Sequence, residues 1–241
     1  MLDVFGAVLV GLAAATVLVG TVTTMPIRLP GRLVLASLAG GWIGFAGAVA
    51  GSGGLSNPVA LLAMFGAPLI ATTALVRFIP TARHTLATVP LSLLVGVNAV
   101  RIGGVLFVLL AVAGRLSGPF PYIAGWGDFL TGAGAALLVW PAAGGAGMRK
   151  PLLTAWNTFG MLDLVVAVAL GVTSRNGSPL QLIHAGVGTG TILTLPWAFV
   201  PTVLVPFFLI VHASIFVRLR AQATATLDQR RNVSGKIGHA Y

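Results

Sequence analysis

Cysteine is absent from the 241 residues. That excludes disulfides, thiolate metal sites, iron–sulfur clusters and a cysteine nucleophile. Acidic side chains are almost absent too: the four are Asp3, Asp128, Asp163 and Asp228, against 14 lysines and arginines. Lysine occurs only at 150 and 236, both outside the long apolar runs, so no retinal-type Schiff base can form within a span. Neither a His-Glu-x-x-His motif nor a Gly-x-Ser-x-Gly elbow occurs, which leaves zinc-protease and α/β-hydrolase chemistry without its usual signature.

Charged residues make up only 7% of the chain, where soluble domains carry about 25%. Hydrophobic residues make up 57%, and the mean hydropathy is +1.00. Apolar runs of this length need lipid rather than water as solvent. Within lipid every backbone polar group must be satisfied internally, so the choice is between helices and closed barrels. The runs are continuous rather than alternating, which predicts an all-α integral membrane protein.

Seven spans are expected, at about 2–24, 33–54, 58–79, 88–113, 120–142, 152–173 and 190–217. Pro58, Pro90 and Pro151 suit first-turn positions. Pro196, Pro201 and Pro206 predict a kinked last span. Apart from those prolines, the pattern contains no clear pair of broken helices. The division is a seven-helix domain over 1–218 and a basic tail over 219–241.

The basic residues set the expected direction. Arg28, Arg32, Arg77, Arg83, Arg149, Lys150, Arg218, Arg220, Arg230, Arg231 and Lys236 fall on one side; Arg115 and Arg175 fall on the other. The positive-inside rule then places the N-terminus outside and the C-terminus inside. The formal net charge of +10 lies in short loops and one tail, so it argues against nucleic acid and for anionic lipid at the tail.

Charges inside a membrane cost about 2.5–3.5 kcal/mol each on insertion scales and usually mark function. Arg101, Asp128 and Asp163 fall inside spans four, five and six. At a rise of 1.5 Å per residue all three reach a common layer, roughly 12–18 Å below one surface. Gly125, Asp128 and Gly132 form one stripe of span five; Trp156, Gly160 and Asp163 form one stripe of span six. Small residues beside a charge point it into the bundle. Asn98 shares the face of Arg101. The spacing predicts that Arg101 pairs with Asp128, Asp163 or both, as its planar fork allows. Pairing with both leaves one negative charge, which invites a proton, a cation or an amine. The bland alternative is an ion pair that only fixes helix register.

The candidate centre is Arg101, Asp128, Asp163, Asn98, Trp156 and Asn157, with His212 as a further candidate near the inner end of span seven. His212 is the one intramembrane histidine and so the one candidate haem ligand; on its own it reads better as an interfacial cap, and no cofactor or metal is expected. Trp126, Trp140, Trp156 and Trp197 lie near span ends and read as an aromatic belt. Gly40-x-x-x-Gly44 and Gly47-x-x-x-Gly51 read as internal packing rather than a dimer interface. Gly186-x-Gly188-x-Gly190 reads as a flexible lead-in to span seven.

Gly125-Trp126-Gly127-Asp128 resembles the Gly-x-Gly-Asp pattern of intramembrane aspartyl proteases, with Asp163 as a second acid. The order of the two acids is reversed, no Tyr-Asp pair is present and no Pro-Ala-Leu follows. A second resemblance runs from Arg101 to His212 and rests on Arg101, Ala124-Gly125-Trp126-Gly127-Asp128, Trp156-Asn157, Gly160-x-Leu162-Asp163-Leu164, Gly171, Pro201, Pro206 and His212. It is similar to an uncharacterised bacterial multi-pass membrane family. That resemblance implies a bacterial cytoplasmic membrane and no particular chemistry.

The leading expectation is a carrier or binding protein for a small solute or ion. A non-catalytic subunit or scaffold of a larger membrane complex is second, with a membrane-protein partner or a second copy of the chain. A hydrolase is third, and the chain is not expected to be an enzyme.

Overall fold

A computed structural model of the chain describes residues 1–24, 27–143 and 150–238; side chains are described to Ala221. Among the described residues there is no β-strand and there are nine α-helices. These are α1 (Leu2–Thr24), α2 (Leu29–Gly51), α3 (Pro58–Phe78), α4 (Pro80–Thr88), α5 (Leu91–Gly96), α6 (Val105–Val112), α7 (Phe120–Ala143), α8 (Lys150–Thr173) and α9 (Val205–Gly238). Seven stretches are long and apolar enough to cross a membrane: Leu2–Gly20, Leu29–Gly51, Pro58–Phe78, Leu91–Val112, Phe120–Trp140, Lys150–Thr173 and Val200–Ala221.

Two of these spans are not uniform α-helix. The fourth joins α5 to α6 through an eight-residue 3-10 segment, Val97–Gly104. Such segments rarely exceed three or four residues. The local sequence explains it. Asn98 Nδ2 donates to Leu94 O at 2.8 Å, competing for the carbonyl that an α-helix would offer the backbone there. Gly103 and Gly104 follow, both poor helix formers. The seventh span opens with a π-helical turn, Val200–Leu204, before α9. Proline at 206 has no N–H to offer Thr202 O four residues back. Trp42 Nε1 on α2 donates to that carbonyl instead, at 3.0 Å. The expected kink is thus a wide turn, and the segment 190–199 is not span: it holds a short 3-10 turn at Gly190–Leu193 and further turns. The structure therefore supplies the pair of interrupted helices that the hydrophobic pattern does not reveal.

α7 is the central helix. It packs against α5, the 97–104 segment, α6 and α8, and α9 packs against α8, α5 and α3. Helices α1 to α3 are peripheral: 11%, 11% and 6% of their most apolar windows are buried, against 44% for the fourth span and 50% for the seventh. On α2, Gly47 and Gly51 approach Phe199 and Leu195, as internal packing requires. Gly40, Gly41 and Gly44 face open space, so the first half of that glycine pattern packs against nothing among the described residues.

The loops at the two ends are held by their own contacts. Asp3 Oδ1 accepts from Arg115 Nη1 and from Trp197 Nε1, both at 2.8 Å. Gly6 lies flat against the Trp197 ring, where a Cβ would meet Cη2 at 2.6 Å. Gly186 and Gly188 adopt positive φ, 51° and 65°. Gly188 N–H donates to Ser117 Oγ at 2.7 Å, and Ser117 N–H returns a bond to Gly188 O at 3.1 Å. The glycine-rich lead-in is therefore a pinned turn rather than a loose one. At the opposite end Arg218 Nη1 donates to Ala87 O. α9 continues as helix to Gly238, across the boundary expected at 218. Arg149, counted among the basic residues, lies outside the described residues.

Candidate functional site

The 3-10 segment places residues three apart directly over one another. Asn98, Arg101 and Gly104 form that buried stripe. It lies against α7 almost backbone to backbone. A Cβ on Gly104 would overlap the Cβ of Asp128 and come within 3.0 Å of Gly125 O. A Cβ on Gly132 would overlap the backbone of Arg101 and Ile102. The Gly125/Asp128/Gly132 stripe read from the sequence is thus the groove in which the arginine-bearing segment sits.

Arg101 is 3% exposed and bonds both acids. Nε donates to Asp128 Oδ1 and Nη2 to Asp163 Oδ2, each at 2.6 Å. Nη1 donates to Gly160 O at 3.1 Å and meets His212 Nε2 at 2.8 Å. Four of the five guanidinium hydrogens are accounted for by these contacts. Arginine has no acceptor, so His212 Nε2 must accept. The imidazole is then neutral with its proton on Nδ1, which donates to Asn157 Oδ1 at 2.8 Å. Asn157 Nδ2 completes the ring by donating to His212 O at 3.0 Å. Phe208, one turn before His212 on α9, sets its ring centroid 5.7 Å from the guanidinium carbon.

α8 supplies Trp156, Asn157, Gly160 and Asp163 from one face. Trp156 Nε1 donates to Thr131 O at 3.0 Å, and its ring lies 5.7 Å from that of His212. A Cβ on Gly160 would meet His212 Cε1 at 2.6 Å and Thr131 Cγ2 at 2.7 Å. Gly127 is the counterpart on α7: a Cβ there would overlap the Asp163 carboxylate.

All seven sequence candidates are therefore buried or nearly so around Arg101. Asn98 Oδ1, however, finds no hydrogen-bond partner, and Asn98 joins the stripe without a bond to the arginine. Two expectations are corrected. His212 is fully buried at the centre of the bundle, not an interfacial cap, because α9 continues well past it. Trp156 and Trp197 are 8% and 1% exposed, so they are not belt residues; each indole N–H has a hydrogen-bond partner, Thr131 O for the first and the exposed Asp3 carboxylate for the second. Trp126 and Trp140 remain exposed. Gly104, Gly127 and Thr131 were missed. They carry no charge, and only the packing reveals what their size permits.

A cavity of about 70 Å³ adjoins the ion pairs. Its walls come from α1 (Leu9, Val10, Ala13), from the 3-10 segment and α6, and from the π turn and α9. Arg101 and Asp128 line it; Asp163 does not. The Asp128 side chain is 15% exposed, against 5% for Asp163 and 1% for Arg101. Both interrupted helices therefore meet at the cavity beside Asp128.

A family model described as a domain of unknown function (DUF8737) matches residues 58–220, a stretch that contains every residue of this centre. No curated protein and no solved structure matches the chain.

Proposed function

The chain belongs to the DUF8737 family, whose description carries no activity, and from its own site we propose a membrane carrier or binding protein for a small cationic solute or ion, centred on Arg101, Asp128 and Asp163. One observation carries the reading. A single arginine answers two carboxylates while its histidine neighbour is neutral, so with both carboxylates ionised the buried cluster carries one negative charge in excess. A charge buried without compensation is costly, and a bound cation or proton removes that cost. The cavity beside Asp128 gives such a species a place.

The interrupted spans support movement. Non-α backbone at membrane depth is tolerated where it is packed in protein or lines a cavity, and carriers commonly build their sites at such breaks. Here the 3-10 segment and the π turn flank one cavity. A hydrolase fits less well: the guanidinium occupies both acids, whereas an aspartyl dyad needs them to share a proton. No haem enters the proposal, since both ring nitrogens of His212 are engaged.

The proposed setting is a bacterial cytoplasmic membrane, N-terminus outside, with the basic residues of the C-terminal stretch on anionic lipid. The chain lacks cysteine, so single Asn176→Cys and His84→Cys variants would react with an impermeant maleimide from opposite faces. Flux of protons or small cations in proteoliposomes tests the function. Asp128→Asn or Asp163→Asn should alter it, and identical flux in both variants would reduce the cluster to a register-fixing ion pair.

One observation favours the reading as a subunit of a larger assembly. Gly40, Gly41 and Gly44 leave a smooth strip of α2 that no described residue covers, the kind of surface on which transmembrane helices associate. Cross-linking through Gly44→Cys in membranes would detect a neighbour there.

A further inference from the structure

Charge alone does not say which cation; the lining of the cavity does. Three of its side chains carry a polar atom: Arg101, Asp128 and Trp197. Trp197 spends its N–H on Asp3. Arg101 commits four of its five donors to protein acceptors. Asp128 Oδ1 takes the guanidinium, and the second carboxylate oxygen has no protein partner among the described residues. The cavity thus offers one strong acceptor, set in a wall that is otherwise apolar.

A bare metal ion is poorly served by that wall. Hard cations need several oxygen ligands in place of their water, and here a single carboxylate oxygen is free. An organic ammonium is served better. Its head needs few acceptors and its carbon body gains from apolar burial. Phe107, Trp197 and Phe208 line the same space, and aromatic faces attract cations. Phe208 already lies against the guanidinium at 5.7 Å. The size suits only a small molecule: about 70 Å³ equals the liquid volume of roughly two waters.

We infer that this cavity is a binding site for a small primary ammonium ion, with its head on the free oxygen of Asp128 and its carbon chain among Phe107, Trp197 and Phe208. The inference deepens the carrier reading and rests on the same centre.

The test uses the full chain in lipid nanodiscs, titrated with propylammonium chloride against sodium and potassium chloride at equal ionic strength. Thermal unfolding and tryptophan emission are both read, since Trp197 lines the site. Propylammonium should raise the melting temperature by several degrees and change the emission, while sodium and potassium do neither. Asp128→Asn should abolish the response. Phe107→Leu, which removes an aromatic face and leaves the ion pairs untouched, should weaken binding several-fold. An equal response to sodium, an undiminished response in Phe107→Leu, or no response to any ammonium would each overturn the assignment. The outcome separates from the carrier reading. Flux sensitive to Asp128→Asn without ammonium binding leaves the carrier and removes the ligand class. Binding without flux leaves the ligand class and removes the carrier.

Discussion

The carboxylate of Asp163 on α8 occupies the space that a side chain on Gly127 of α7 would fill. The acid reaches Arg101 only because α7 is bare at that point. Gly127→Ala should therefore push Asp163 off the guanidinium and cost at least about 2 kcal/mol, combining overpacking with a broken buried pair. Gly11→Ala is the control: a methyl there meets nothing within 4 Å. Unfolding of both variants in mixed micelles against denaturing detergent would measure the difference, and equal midpoints would contradict the packing argument.

Arg101→Ala strands two carboxylates in the interior. Leaving a buried charge without its partner costs about 3–5 kcal/mol. Combining Arg101→Ala with Asp128→Asn and Asp163→Asn removes the stranded charges and should recover part of the lost stability and yield. A triple variant no better than the single one would mean that the pairs contribute little.

His212 is an acceptor toward Arg101 and a donor toward Asn157. His212→Leu leaves an arginine hydrogen and the Asn157 amide oxygen unsatisfied, at about 1–3 kcal/mol for each buried group. His212→Gln can still accept near the Nε2 position and should lose less. The order of melting temperatures, wild type above Gln above Leu, checks the assigned tautomer; Leu equal to Gln would contradict it.

Asp3 and Arg115 form an exposed pair, with side chains 54% and 35% accessible. Exposed pairs contribute about 0–1 kcal/mol and are screened by salt. Asp3→Asn should therefore change stability little, and any change should shrink in high salt. Gly6→Val should cost more, since its side chain would drive into the Trp197 ring. A larger loss for Asp3→Asn than for Gly6→Val would show that charge, rather than packing, holds α1 at this end.

Much of this was legible along the chain. Composition and run length determined an all-α protein with seven membrane-length helices, because lipid leaves an exposed backbone no other partner. The scarcity of intramembrane charge determined which residues matter, and 1.5 Å per residue placed Arg101, Asp128 and Asp163 at one depth. Helical spacing determined which faces of α7 and α8 carry the acids. The tertiary structure decided the rest. That Arg101 bonds both acids, that His212 joins them as a neutral acceptor, and that Trp197 turns inward depend on contacts between residues 27 to 194 positions apart. The prolines announced an irregular seventh span, but the helix type there and in the 97–104 segment depended on where Trp42 and Asn98 direct their hydrogen bonds. Glycine discloses its purpose only when a neighbour fills the space it leaves, as Asp163 does at Gly127.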